Sequence, residues 1–143
     1  MKKRIIFLIA SVVFILASLK PQWVCGKKFS SESLYHYSLA QIYLNEGAFK
    51  KATEEYEKVI QENKDSLLLL KELSDIYINL EEYKNLKKIS KNIIELNKND
   101  INAYYNLAEV SLFEGNYKDA IKYYYKILEL KPEEIKVYLY LGA

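Results

Sequence analysis

The chain has 143 residues, enough for one domain, and half of them are apolar. Its net charge of +2 comes from the first 26 positions, which hold four basic residues and no acid, whereas the remainder carries 17 lysines against 19 acids and so disfavours nucleic-acid binding. The single cysteine, Cys25, excludes an intramolecular disulfide and argues against a thiolate metal site.

The first predicted element is an apolar segment at the N-terminus. Basic residues at positions 2–4 precede Ile5–Leu19, a run of 15 residues without a charged side chain. This arrangement is typical of a secretory signal peptide, and the run is shorter than the roughly 20 residues of a membrane helix. Residues 1–26 are therefore predicted to be a signal peptide cut after Gly26 or a retained signal anchor. Both alternatives predict export, to the periplasm, the medium or the outer side of the cytoplasmic membrane, with membrane contact only through this segment.

A period of 34 residues organises residues 33–143, which follow a polar entry at 27–32. Each unit shows two amphipathic helices joined by a tight turn. The units are predicted at 33–66, 67–100 and 101–134, with a partial fourth at 135–143. One column of the alignment holds leucine, and the next holds a small residue: Leu39, Leu73, Leu107 and Leu141, then Ala40, Ser74, Ala108 and Gly142.

Helix boundaries follow from caps and breakers. The first two units predict helices at about Glu32–Asn45, Phe49–Glu62, Leu67–Leu80 and Tyr83–Asn97. Ser30 or Ser31 is expected to cap the first helix, and Asp100 the first helix of the third unit. Gly47 and Gly115 occupy two of the turns, where a left-handed residue is needed, and Glu81 stands in the middle one.

The repeat pattern resembles the tetratricopeptide repeat. The third unit supplies the family's spaced aromatic, leucine, small and proline positions, namely Tyr104, Leu107, Ala108, Ala120, Tyr124 and Pro132. The first unit supplies most of the same positions, namely His36, Leu39, Ala40, Tyr43, Ala52 and Tyr56. The middle unit departs at Leu70, Leu86 and Ser90, so its alignment rests on its neighbours. The resemblance implies an all-α fold, a right-handed superhelical solenoid of helix-turn-helix repeats, preceded here by the N-terminal hydrophobic segment.

No catalytic chemistry is predicted. The sequence has no glycine-rich phosphate loop, no paired histidines and no Ser/His/Asp set, so no catalytic residue, cofactor or metal site is expected. His36 shares a column with Leu70, Tyr104 and Tyr138 and is interpreted as a packing residue. Tyr123–Tyr125 could stack on bases, but helical geometry points the three rings in different directions, one of them into the core, so they too are interpreted as packing residues.

The resemblance implies instead that the first helix of each unit lines a concave groove that takes a peptide or helix of a partner protein. The residues predicted to bind the partner are Tyr37, Gln41 and Asn45 in the first unit, Lys71, Asp75 and Asn79 in the second, and Asn102, Tyr105, Glu109 and Phe113 in the third. Some family members clamp a terminal carboxylate with basic and amide residues; that clamp is not expected, because Asn106 alone has a matching type here.

The predicted function is a non-enzymatic interaction scaffold, exported or tethered to a membrane. The alternative is the N-terminal adaptor of a larger enzyme or envelope assembly machine. A third interpretation comes from Ile135–Ala143, whose apolar side chains are unlike the polar cap that ends a solenoid. This half repeat could belong to a longer protein, pack as a short cap, or mediate self-association with a second copy.

Overall fold

The computed structural model describes residues 29–142, and all regular structure in this part of the chain is α-helical. The seven helices are α1 Ser31–Asn45, α2 Phe49–Glu62, α3 Leu67–Asn79, α4 Tyr83–Leu96, α5 Ile101–Phe113, α6 Tyr117–Leu130 and α7 Ile135–Leu141. The helix boundaries expected for the first two units are confirmed to within one residue. The predictions for residues 1–26 lie outside the described residues, and the hand of the superhelix stays a prediction.

Each hairpin closes through one left-handed residue. Gly47 and Gly115 both have φ of 71°, and Glu81 takes the same place in the middle turn with φ of 55°. In all three turns the next amide reaches back to the carbonyl five residues earlier, as in the hydrogen bond from Ala48 N to Tyr43 O at 2.8 Å. The middle turn thus has the same geometry at the cost of a strained non-glycine residue.

Side-chain caps begin two of the first helices. The Ser30 hydroxyl accepts a hydrogen bond from Ser33 N at 2.9 Å, and the Asp100 carboxylate accepts one from Ala103 N at 3.1 Å. Both predicted caps are therefore confirmed, Ser30 being the one of the two serines that is used. Each cap satisfies an amide that has no partner within its helix.

The core forms where one unit stacks on the next. The third residue of each unit after the first is buried, with Leu69, Ala103 and Val137 at most 1% exposed, whereas Tyr35 at this position of the first unit is 63% exposed. This position of the first helix, where it meets the preceding unit, is therefore apolar in units two to four. Stacking also brings α1 next to α3 and α3 next to α5, close enough for the hydrogen bonds from Tyr37 to Glu72 and from Asn106 to Ser74. Within the described residues, no helix is long and apolar enough to cross a membrane.

The middle unit keeps its packing by exchanging a large and a small residue. Units one and three pair a buried alanine with a buried tyrosine one turn later on their second helix, as in Ala52 and Tyr56. On α4 the same positions hold Leu86 and Ser90, both at most 1% exposed. The larger side chain is thus at the first position and the smaller at the second, the reverse of the other units. We therefore expect the two departures from the repeat pattern to compensate for each other in volume.

This compensation predicts non-additive costs. Leu86→Ala should reduce the free energy of unfolding by about 2–5 kcal/mol through a cavity, and Ser90→Tyr by about 1–3 kcal/mol through overpacking. The double variant restores the alanine and tyrosine of the other units. Its loss of unfolding free energy should be smaller than the sum of the two single losses by at least about 1 kcal/mol. Urea unfolding measures all three, with Leu96→Ala on the 43% exposed surface of α4 as a control. Costs that add to within about 0.5 kcal/mol would refute the compensation.

Candidate partner-binding groove

The aligned first helices enclose a groove made of three adjoining clefts. The first cleft is lined by α1 and α3 with Phe49 and Tyr56 of α2, and the second by α3 and α5 with Ile93 of α4. The third is lined by α5, by Lys131 and Glu134 before α7, and by α7. Asp75 lines both the first and the second cleft, and Tyr105 lines both the second and the third. These two side chains therefore stand on the ridges between neighbouring clefts.

Six of the ten residues predicted to bind a partner line these clefts: Gln41, Lys71, Asp75, Asn79, Asn102 and Tyr105. Asn45 and Glu109 are exposed on α1 and α5 outside the cleft linings. Phe113 is 68% exposed and stacks on Tyr83, with ring centroids 4.0 Å apart. Its contact is thus with the start of the second helix of the preceding unit.

Tyr37 is the last of the ten residues predicted to bind a partner. It belongs to a hydrogen-bond network in the floor of the first cleft. Tyr56 Oη donates to Glu72 Oε2 at 2.8 Å, and Tyr37 Oη donates to Glu72 Oε1 at 3.2 Å. Gln41 Nε2 donates in turn to Tyr56 Oη at 2.5 Å. Tyr37 and Gln41 are therefore committed to contacts within the protein. Sequence reasoning missed Glu72, because its column holds unrelated residue types in the other units.

The tyrosines of this network are neutral donors. Burial, followed by the hydrogen bond to Glu72, raises the pKa of Tyr56. Burial and the charge of Glu72 likewise raise the pKa of Tyr37. Because both phenols stay protonated at neutral pH, they satisfy the Glu72 carboxylate without neutralising its charge.

A second set of polar contacts holds the floor of the cleft between α3 and α5. Lys71 Nζ lies 2.6 Å from Asp100 Oδ2, and Asp100 is 6% exposed. Asn106 Nδ2 donates to Ser74 Oγ at 2.8 Å. The Lys71 ammonium is thus already paired with the carboxylate that caps α5.

Asp75 differs from these residues because its carboxylate has no ionic partner in the described part of the chain. None of the described lysine or histidine side chains lies within 4.0 Å of Asp75, and burial raises the pKa of its carboxyl. Asp75 is therefore an acceptor that a bound partner could satisfy. The Tyr105 hydroxyl is buried near Glu134, and burial, then the charge of Glu134, raises the pKa of Tyr105 to about 12.

His36 lies away from the groove, between α1 and α2. It is half-buried, as expected for a packing residue, and Nδ1 donates to Glu55 Oε2. Lys58 Nζ contacts the other oxygen of Glu55 at 2.8 Å. Burial alone would raise the pKa of Glu55, but the hydrogen bonds from Lys58 and His36 outweigh it and lower the pKa. This contact was not foreseen from the sequence.

The three consecutive tyrosines are divided as predicted. Tyr124 is buried in the core of the last unit, Tyr123 is partly buried and Tyr125 is 58% exposed. Tyr124 also stacks on Tyr140 of α7. Elsewhere in the described part of the chain, no group of three or more His, Cys, Asp or Glu side chains is placed to hold a metal ion.

Comparison with known proteins identifies the repeat. A family profile described as tetratricopeptide repeat matches residues 101–134, and a second profile of the same description matches residues 34–66. A search of curated proteins found no match.

Three solved structures with the same fold are each 19% identical in sequence to this chain. A crystal structure of MamA protein has a TM-score of 0.68 over 78% of this chain and 61% of its own, so the chain spans about three fifths of the MamA length. The first TPR of Spaghetti (RPAP3), bound to the HSP90 peptide SRMEEVD, has a TM-score of 0.62 over 80% of this chain and 94% of its own. The first TPR domain of human RPAP3, solved by NMR, has a TM-score of 0.61 over 78% and 87%. These similarities establish the solenoid fold.

Proposed function

Since the chain belongs to the tetratricopeptide repeat family, we propose that it is a non-enzymatic scaffold that binds a peptide or helix of a partner protein in the groove of α1, α3 and α5. The peptide in the RPAP3 structure supports this mode of binding for the fold. We further propose that residues 1–26 direct the scaffold out of the cytoplasm or anchor it at the membrane, on the strength of the basic start and the apolar run.

The observation that carries the proposal is the exposure of apolar side chains on the first helices. Leu68 and Ile78 of α3 and Leu112 of α5 are 46%, 38% and 41% exposed, and Ile78 lines the second cleft. Asn102 lines the same cleft, and Asn79 lines the first. Apolar area that a partner can cover, next to amides that can bond its backbone, is the composition of a protein-binding surface.

A photo-crosslinking residue in place of Asn102 should capture the partner in the envelope fraction of the source cells. The control places the same residue at Asn92, which is exposed on α4 and lines a cleft between α2 and α4 on the second helices. An adduct at position 102 and none at position 92 is the expected result. Adducts at position 92 alone, or at neither position, would contradict binding in the groove.

Affinity for the captured partner then measures the contribution of the groove. Ile78→Ala combined with Asn102→Ala removes apolar contact and an amide, and should weaken binding about tenfold, or about 1.4 kcal/mol. The matched control combines Ile121→Ala with Asn92→Ala, since Ile121 is 46% exposed on α6. Equal losses in both variants would place the binding surface elsewhere.

We propose, as a second function, that α7 mediates self-association. Ile135, Leu139 and Tyr140 are 73%, 71% and 61% exposed on this helix, an apolar surface that a second copy could cover. Light scattering of the full chain should show a dimer or larger species, and Leu139→Asp should convert it to a monomer. Leu96→Asp on α4 is the control. A monomeric full chain, or equal effects of the two variants, would refute this function.

A further inference from the structure

We propose that the groove selects partner segments that carry a positive charge, a lysine or arginine flanked by apolar residues, and that this charge pairs with Asp75. The inference rests on the proposed binding of a partner in the groove and adds the chemistry of that partner. It is carried by the distribution of charge and by the position of Asp75.

The first two clefts of the groove, between α1 and α5, are acidic. Their linings hold the carboxylates of Glu72, Asp75 and Asp100 and one cation, Lys71. Three carboxylates against one ammonium leave a net of two negative charges in these two clefts. This contrasts with the balance of the whole chain, whose net charge is +2. The acidity is therefore a local property of this surface.

Ion pairs within the protein do not remove this charge. Lys71 is bound to Asp100, while the nearest donors to Glu72 are the neutral hydroxyls of Tyr37 and Tyr56. Among the described residues, no lysine or histidine side chain lies within 4.0 Å of Glu72 or Asp75. The first two clefts therefore present uncompensated negative charge to a ligand.

Asp75 is the carboxylate that a ligand meets directly, because it lines two neighbouring clefts. A neutral segment lying across it would exclude water from the carboxylate without pairing it, which costs free energy. An acidic segment would add repulsion, whereas an ammonium or guanidinium group would restore the lost solvation as a charge-assisted hydrogen bond. Ile78 is exposed in the second cleft, and apolar residues of the partner, next to its positive charge, would cover it.

The proposed preference for basic segments is opposite to the charge of the peptide bound in the RPAP3 structure. The sequence SRMEEVD carries three acidic residues and one arginine. Placed against Glu72 and Asp75, such a segment would meet like charge, with Lys71 already paired. Like-charge contacts of this kind weaken the binding of acidic segments and so contribute to specificity.

A display selection with random 12-residue peptides tests the inference on the full chain. The bound peptides should be enriched in lysine and arginine over aspartate and glutamate by about threefold relative to the input library. Asp75→Lys should reverse this preference. Glu95→Lys makes the same charge change on exposed α4, outside the groove, and should leave the preference intact.

A selected basic peptide, resynthesised with a fluorophore, then gives affinities by anisotropy. Asp75→Asn should weaken its binding about tenfold and Glu95→Gln should not, and labelled SRMEEVD should bind more weakly than the basic peptide. Binders without a basic preference, or a preference that Asp75→Asn leaves unchanged, would overturn the inference while leaving groove binding in place. A selection that yields no binder at all would overturn both.

Discussion

The structure depends on one constraint, which is that a pair of helices cannot cover its own apolar face. Leu69, Ala103 and Val137 are buried because each first helix lies on the preceding unit. The small residues Ala40 and Ala108, both fully buried, belong to the small-residue column and leave room for close packing. Stacking therefore does more than fill a core: it fixes α1, α3 and α5 next to one another, so that their remaining faces form a continuous groove.

Polar contacts join the helices that stacking places next to one another. The Glu72 network joins α1, α2 and α3, and the pairs Lys71–Asp100 and Asn106–Ser74 join α3 to α5. These bonds lie in the floor of the groove and hold neighbouring helices before any partner arrives. A floor ordered in advance reduces the entropy lost on binding. Lys71, the one lysine in the first two clefts, joins two helices through Asp100, so it is not the partner of Glu72 or Asp75.

Periodicity predicted the helices and their faces but could not identify pairs of side chains. A 34-residue repeat shows that Tyr124 points inward and Tyr125 outward, because that depends only on helical geometry. It does not show that Tyr37 donates to Glu72, since the Glu72 column varies between units and the bond crosses from one unit to the next. The same limit applies to Phe113, predicted as a groove residue, whose partner Tyr83 lies in the preceding unit. Leu86 and Ser90 depart from the repeat pattern one by one, and only their shared burial suggests that they exchange a large and a small residue.

The central claim is that partners bind to the first helices and not to the second. Isoleucine δ1-methyl NMR during titration with a peptide selected on the protein tests it most directly, because Ile78 on α3 and Ile121 on α6 have similar exposure, 38% and 46%. The account predicts that the Ile78 methyl signal shifts and saturates with the peptide, while the Ile121 signal stays in place. A saturating shift at Ile121 with Ile78 unchanged would contradict it.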